Sequence, residues 1–157
     1  MKRILLAAIL QLLYRSLNVL MKHDGSVRAE ISQLHPGACV RICTDLTGRG
    51  PVLTVAYENG MLRKVRGERK ADIEIAFKSL SGALRVFTGV ESIGKAYCGH
   101  RFVLRGNINE TMCLVRAIET AEGYLFPRMW SRRILKRRVD KRLPTMAVYA
   151  LALCGRV

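Results

Sequence analysis

The sequence predicts an α+β fold in which a meander of three or four strands leads into helix, strand and helix. Three observations carry that expectation: period-two alternation over residues 38–45, 53–57 and 71–77, an Asn59-Gly60 pair between two strand patterns, and helical spacing of apolar residues after Ser79 and Asn107. At 157 residues the chain is long enough for one domain with a buried core, extended at both ends. The boundaries fall at 1–37 for an apolar helix and linker, 38–127 for the domain, and 128–157 for a basic tail.

Residues 4–21 are strongly apolar, and Gln11, Arg15, Asn18 and Lys22 recur along one narrow stripe, so the segment forms a helix that is greasy on most sides. Three readings stay open: an anchor across a membrane, a signal peptide, or a helix docked on the domain or lying in a bilayer interface. A span wants about 20 apolar residues with few interruptions, and Gln11 and Arg15 sit in the middle of this run. Lys2-Arg3 suits a signal peptide, but no small-x-small cleavage site follows. The docked or interfacial helix fits the polar stripe best. Residues 23–37 are polar, with turn signals at Asp24-Gly25 and Pro36-Gly37, and form a linker or short helix.

From residue 38 the period changes to two. Val40, Ile42 and Thr44 alternate with Arg41, Cys43 and Asp45; Leu53, Val55 and Tyr57 mark a second strand; and Asn59-Gly60, which tolerates positive φ, turns the chain into an antiparallel third strand over 61–65. Ile73, Ile75 and Phe77 share one face of the next strand. Ser79 then caps a helix with a stripe of Leu80, Ala83, Leu84 and Phe87, stopped by Gly89. A short helix and a strand over 101–105, with Phe102 and Leu104 inward, precede Gly106 and a helix capped by Asn107 that carries Met112, Val115 and Ile118. Asn107 and Glu110 have capping-box spacing.

Past residue 127 the character shifts. Eight Lys or Arg and one acid, Asp140, lie between 128 and 142, interleaved with Trp130, Ile134, Leu135, Val139 and Leu143. Two readings are open: a solvated helix packing its greasy edge on the domain, or a basic amphipathic helix on an anionic membrane. In the second, Trp130 sits at headgroup level and Arg132, Arg133, Lys136, Arg137 and Arg138 meet phosphates, each base adding about 1 kcal/mol. The apolar residues 146–154 are too few to span and pack on the N-terminal helix or dip into lipid.

Overall, 27 Lys and Arg stand against 12 Asp and Glu, a formal charge of +15 that favours anionic partners. Five cysteines, without CxxC spacing or paired histidine ligands, read as plain thiols of a reducing cytosol and give no metal site. The three histidines are scattered in loops, and the glycines form neither a dinucleotide fingerprint nor a P-loop. Glu119 and Glu122 share a helix face, but Arg116 beside Glu119 makes a surface ion pair the expected arrangement. No catalytic constellation and no cofactor motif emerge, so a non-enzymatic role is expected.

The run from Ala71 through Phe77, then Leu84 to Gly89, then Phe102-Val103-Leu104-Arg105-Gly106-Asn107, resembles the sterol carrier protein 2 domain family of lipid-binding proteins, as does the hairpin at Asn59-Gly60. The likeness covers about residues 38–126. It implies a mostly antiparallel, twisted five-stranded sheet covered by helices, with an apolar tunnel for a fatty acyl chain, sterol or isoprenoid tail. Carried over by position, the tunnel lining comprises Ile75, Phe77 and Leu84, then Phe87, Phe102 and Leu104, and on the last helix Met112, Val115 and Ile118. The resemblance also implies an accessory role, with a protein partner, in quinone or lipid metabolism, as some bacterial relatives have.

The expected function is therefore lipid binding or transfer by a cytoplasmic protein peripheral to an anionic membrane. The alternative from another class is a nucleic-acid-binding module using the basic tail. Only Trp130 is available there for base stacking, so nucleic acid is expected to bind non-specifically. A third reading is an enzyme component that presents a greasy substrate to a partner.

Overall fold

The computed structural model describes residues 1–67, 69–125 and 144–154. The basic segment, with Trp130, Arg132, Arg133, Lys136, Arg137 and Arg138, lies outside the described residues. The elements in chain order are α1 (Lys2–His23), α2 (Gly25–Ile31), β1 (Cys39–Cys43), β2 (Val52–Glu58), β3 (Met61–Lys64), β4 (Ile73–Phe77), α3 (Leu80–Phe87), α4 (Ile93–Cys98), β5 (Phe102–Arg105), α5 (Ile108–Leu125) and α6 (Thr145–Cys154). This is an α+β architecture with a five-stranded mixed sheet, ordered β3-β2-β1-β4-β5.

Asn59 and Gly60, at φ of 52° and 75°, make the tight turn that returns β3 antiparallel to β2. The meander stops at three strands. Instead of pairing with β3, β4 lies parallel to β1, with Val40 opposite Ile73 and Ile42 opposite Ile75. The crossing segment is tied down along its path: Val65 N–H donates to the Thr54 carbonyl at 3.0 Å, the Arg69 guanidinium to the Gly37 carbonyl at 2.9 Å, and Asp72 N–H to the Cys39 carbonyl at 2.8 Å. Arg41, on the face of β1 opposite Val40 and Ile42, donates to the Arg69 carbonyl at 2.6 Å. The sheet is thus mostly antiparallel with one parallel pair among the described residues.

Gly106 shows why a glycine ends β5. Its φ is +120°, and a Cβ built there would stand 2.2 Å from the Asp72 carbonyl oxygen. The close approach lets the chain leave β5 beside the start of β4 and enter α5. Asn107 Oδ1 accepts from Asn109 N–H at 2.9 Å, and Ser79 Oγ caps α3 by accepting from Gly82 N–H at 3.1 Å. Glu110 does not close the expected capping box. Its carboxylate faces His35 Nδ1 at 3.0 Å, while His35 Nε2 lies 3.8 Å from Asp72, so the loop histidine bridges α5 and the approach to β4.

The helix α1 is long and apolar enough to cross a membrane by length and composition, and half of its most apolar window is buried. Leu6, Leu10, Leu13, Leu17 and Leu20 form a stripe at helical spacing within the same core as the sheet's inward residues Val40, Val55, Leu62 and Ile73. Its polar stripe has partners. Buried Asn18 donates from Nδ2 to the Leu62 carbonyl and accepts from Leu62 N–H, both at 3.0 Å, satisfying backbone groups on the open edge of β3. Gln11 accepts from Lys64 Nζ, and Arg15 donates to the Ala152 carbonyl of α6 at 3.2 Å. At the other end, Tyr149 of α6 donates to the Leu125 carbonyl at 2.5 Å and Val148 is buried.

Candidate functional site

The inward faces of β1, β4 and β5 meet α3, α4 and the middle of α5 around one apolar space. The sheet contributes Ile42, Ile75, Phe77 and Phe102 to its lining. The helices contribute Val86 and Phe87 from α3, Ile93 from α4, and Val115 and Ile118 from α5. Period-two alternation sends the sheet residues inward, and register pairs Phe77 with Phe102 and Ile75 with Leu104. The open volume is about 20 Å³, room for one water-sized body, where a small-molecule site takes roughly 300 Å³ or more.

The expected tunnel is therefore nearly closed, and the reason lies in three rings. Phe77 sits 5.3 Å from Phe87 and 5.1 Å from Phe102, centroid to centroid, in tilted contacts that fill the middle of the space. Tyr97 of α4 adds a third contact to Phe102 at 5.9 Å while more than half of its own surface stays exposed.

Six of the nine residues expected to line the tunnel do line this space: Ile75, Phe77, Phe87, Phe102, Val115 and Ile118. Leu84 and Leu104 are half-buried, pack against the hydrophobic core and are not among the residues lining this space. Met112 is 45% exposed and does not reach it, because the buried face of α5 is centred on Leu114, Ala117, Ile118 and Ala121, and Met112 falls beyond its edge. Ile42, which the strand alternation marks but the expected lining omits, and Val86 and Ile93, which the sequence pattern does not single out, also line the space. Val86 stands three residues after Ala83, which is 0% exposed, so the inward face of α3 is rotated away from Leu84 toward Val86.

The wall formed by α3 and α4 is fastened by a carboxylate. Glu91, 5% exposed in the connection between the two helices, accepts from Arg85 Nε at 3.2 Å and Arg101 Nε at 3.0 Å. Burial pushes its carboxyl up, but the hydrogen bonds and charges of Arg101 and Arg85 outweigh that and hold it below its ordinary value. Besides Asp24 at the α1–α2 junction, the other buried acid is Glu122 on α5, 4% exposed, whose Oε1 has no hydrogen-bond partner among the described residues. Burial, with the Glu119 charge adding to it, pushes this carboxyl up to about 8. The expected Arg116–Glu119 pair is replaced: Arg116 Nε donates to Glu30 of α2 at 2.8 Å.

Burial pushes the Cys39, Cys43 and Cys113 thiols up, which keeps them protonated and weakly nucleophilic. The described residues include no cluster of three or more metal-ligating side chains. What the site offers chemically is apolar surface with one ion-paired carboxylate behind its wall; Glu122, whose Oε1 is without a partner among the described residues, lies on α5 beyond the lining.

No protein-family model matches the chain, and no curated protein matches it in sequence. Among solved structures it is similar to one described as "UbiJ-SCP2 Ubiquinone synthesis protein", at 14% identity and a TM-score of 0.49. The alignment covers 67% of this chain and 88% of that one.

Proposed function

We propose that the protein is a non-enzymatic lipid-binding protein that takes an acyl, sterol-like or isoprenoid tail between its sheet and the α3–α4–α5 wall. The observation that carries this reading is the apolar space itself, lined entirely by aliphatic and phenylalanine side chains and bounded by two short helices. Helices of eight and six residues have little stability of their own, so the wall is a part of the fold that can yield. A tail enters as that wall moves outward and the Phe77–Phe87 contact opens. Each methylene taken from water contributes about 0.8 kcal/mol, which offsets the cost of opening once several are buried.

The sequence resemblance to the sterol carrier protein 2 family supports the same reading and adds an accessory role in quinone or lipid metabolism beside a protein partner. The net charge of +15 supports attachment to the anionic cytoplasmic face of a membrane, with the 128–142 segment as the contact. Two measurements test these parts. A neutral long-chain fluorescent probe should saturate one site and increase hydrogen-exchange protection in residues 80–98; binding without any change there places the tail elsewhere. In liposome flotation, replacing Arg132, Arg133, Arg137 and Arg138 by Gln should release the protein from anionic vesicles, and unchanged flotation removes the segment's role. If the protein instead holds single-stranded RNA through physiological salt and takes up no lipid, the nucleic-acid reading replaces this one.

A further inference from the structure

Glu122 is a buried polar group that the apolar reading leaves unused. Residues 115, 118 and 122 follow one another at i, i+3 and i+7 on α5, so Glu122 continues the helix face whose Val115 and Ile118 line the apolar space and stands one turn beyond that lining. It is 4% exposed, and its Oε1 is one of two buried side-chain polar atoms without a partner among the described residues, the other being Ser16 Oγ on α1. The nearest candidate cation on its own helix, Arg116, is committed to Glu30. A buried polar atom with no partner is costly in a folded protein and marks a group that meets something else.

We propose that Glu122 is the head-group anchor of the site, donating a hydrogen bond from its protonated carboxyl to a carbonyl oxygen on a lipid whose tail lies along Val115 and Ile118. The inference rests on the lipid-binding reading above and narrows its ligand to tails ending in an uncharged acceptor, such as a ketone, ester or quinone oxygen. The neighbouring carboxyl supports that narrowing. Glu119 stands three residues before Glu122, and the burial of both groups pushes their carboxyls up, so an anionic head would add negative charge where the protein already disfavours it. An acceptor with no charge meets a ready O–H donor instead.

The test compares a long-chain methyl ketone, the tail-matched alkane and the tail-matched fatty acid, each displacing the fluorescent probe at neutral pH from the full-length protein. Wild type should prefer the ketone over both others. Glu122→Leu should weaken the ketone by about tenfold while leaving the alkane unchanged, and Glu122→Gln, which keeps an N–H donor, should stay within about threefold of wild type. Infrared spectra of the carbonyl-labelled ketone bound to wild type should show the stretch moved to lower frequency, and the same band should return to its apolar position in Glu122→Leu. Equal ketone-to-alkane preference in wild type and Glu122→Leu, or an unshifted band in wild type, overturns the anchor while lipid binding stands. If wild type displaces the probe with none of the three, the lipid-binding reading fails first.

Discussion

Replacing Glu122 by Gln makes the sharpest demand on the structure, because its effect must depend on pH. The carboxyl is raised from an ordinary 4.5 to about 8 by burial and by Glu119. A folded-state value above the unfolded one means that the group's stability contribution is fully present below pH 4.5, declines as the unfolded chain ionises, and is lost as pH rises through about 8. With a tenfold change in an ionisation constant equal to about 1.4 kcal/mol, the penalty for keeping this carboxyl protonated reaches about 1 kcal/mol at pH 5 and about 4 kcal/mol at pH 7.5. Gln fills nearly the same volume and cannot ionise. The stability difference between Glu122→Gln and wild type should therefore move in the variant's favour by about 3 kcal/mol between pH 5 and pH 7.5. Urea unfolding at the two pH values, extrapolated to water, measures it. A difference that does not change with pH, or a variant that becomes relatively less stable at pH 7.5, refutes the reasoning: the carboxylate would then be ionised and paired in the folded protein.

Other parts of the structure give simpler expectations. Gly106→Ala should destabilise by on the order of 3 kcal/mol in the same unfolding assay, since its φ of +120° and the Asp72 carbonyl leave no room for a methyl. Asn18→Ala should cost about 2 kcal/mol by stranding both backbone groups of Leu62, whereas a loss near zero would mean that water replaces the amide. Phe87→Trp should abolish probe binding, while Met112→Trp, at an exposed position outside the lining, should leave it intact; the opposite order would move the site to the outer face of α5. Glu91→Gln should loosen the α3–α4 wall, raising hydrogen exchange in residues 80–98 and costing about 2 kcal/mol. Because the Glu91 carboxyl is held below its ordinary value, wild type should lose that advantage as pH falls through the acid range.

Much of the fold is legible in local pattern. Alternation at Ile73, Ile75 and Phe77, the Asn59-Gly60 turn, and the caps at Ser79 and Asn107 each act within a few residues, and the structure places their elements within a residue or two of the expected bounds. The parallel pairing of β4 with β1 is not legible. Arg69 and Arg41 reach backbone carbonyls along the crossing, and a long polar side chain looks the same in sequence whether it binds backbone or water. Within the site, the inward strand residues follow from period two, but helix rotation decides between Val86 and Leu84 and excludes Met112. Glu122 escapes sequence reasoning for a related cause. Three charged residues at i, i+3 and i+6, Arg116, Glu119 and Glu122, have the pattern of a solvated face, but Arg116 turns to Glu30 of α2 and Glu122 falls on the buried side with Val115 and Ile118. Whether Phe77, Phe87 and Phe102 enclose a tunnel or meet one another is a matter of ångströms between rings that no residue pattern encodes.

The central claim, that an apolar tail occupies the space beneath α3 and α4, is tested most directly by native mass spectrometry of the protein purified from cells, alongside Phe87→Trp. Wild type should carry one tail-bearing lipid per chain, released intact on activation, and the folded variant should fly at its bare mass. Bare wild-type protein, or the same adduct at the same occupancy in both, would contradict it.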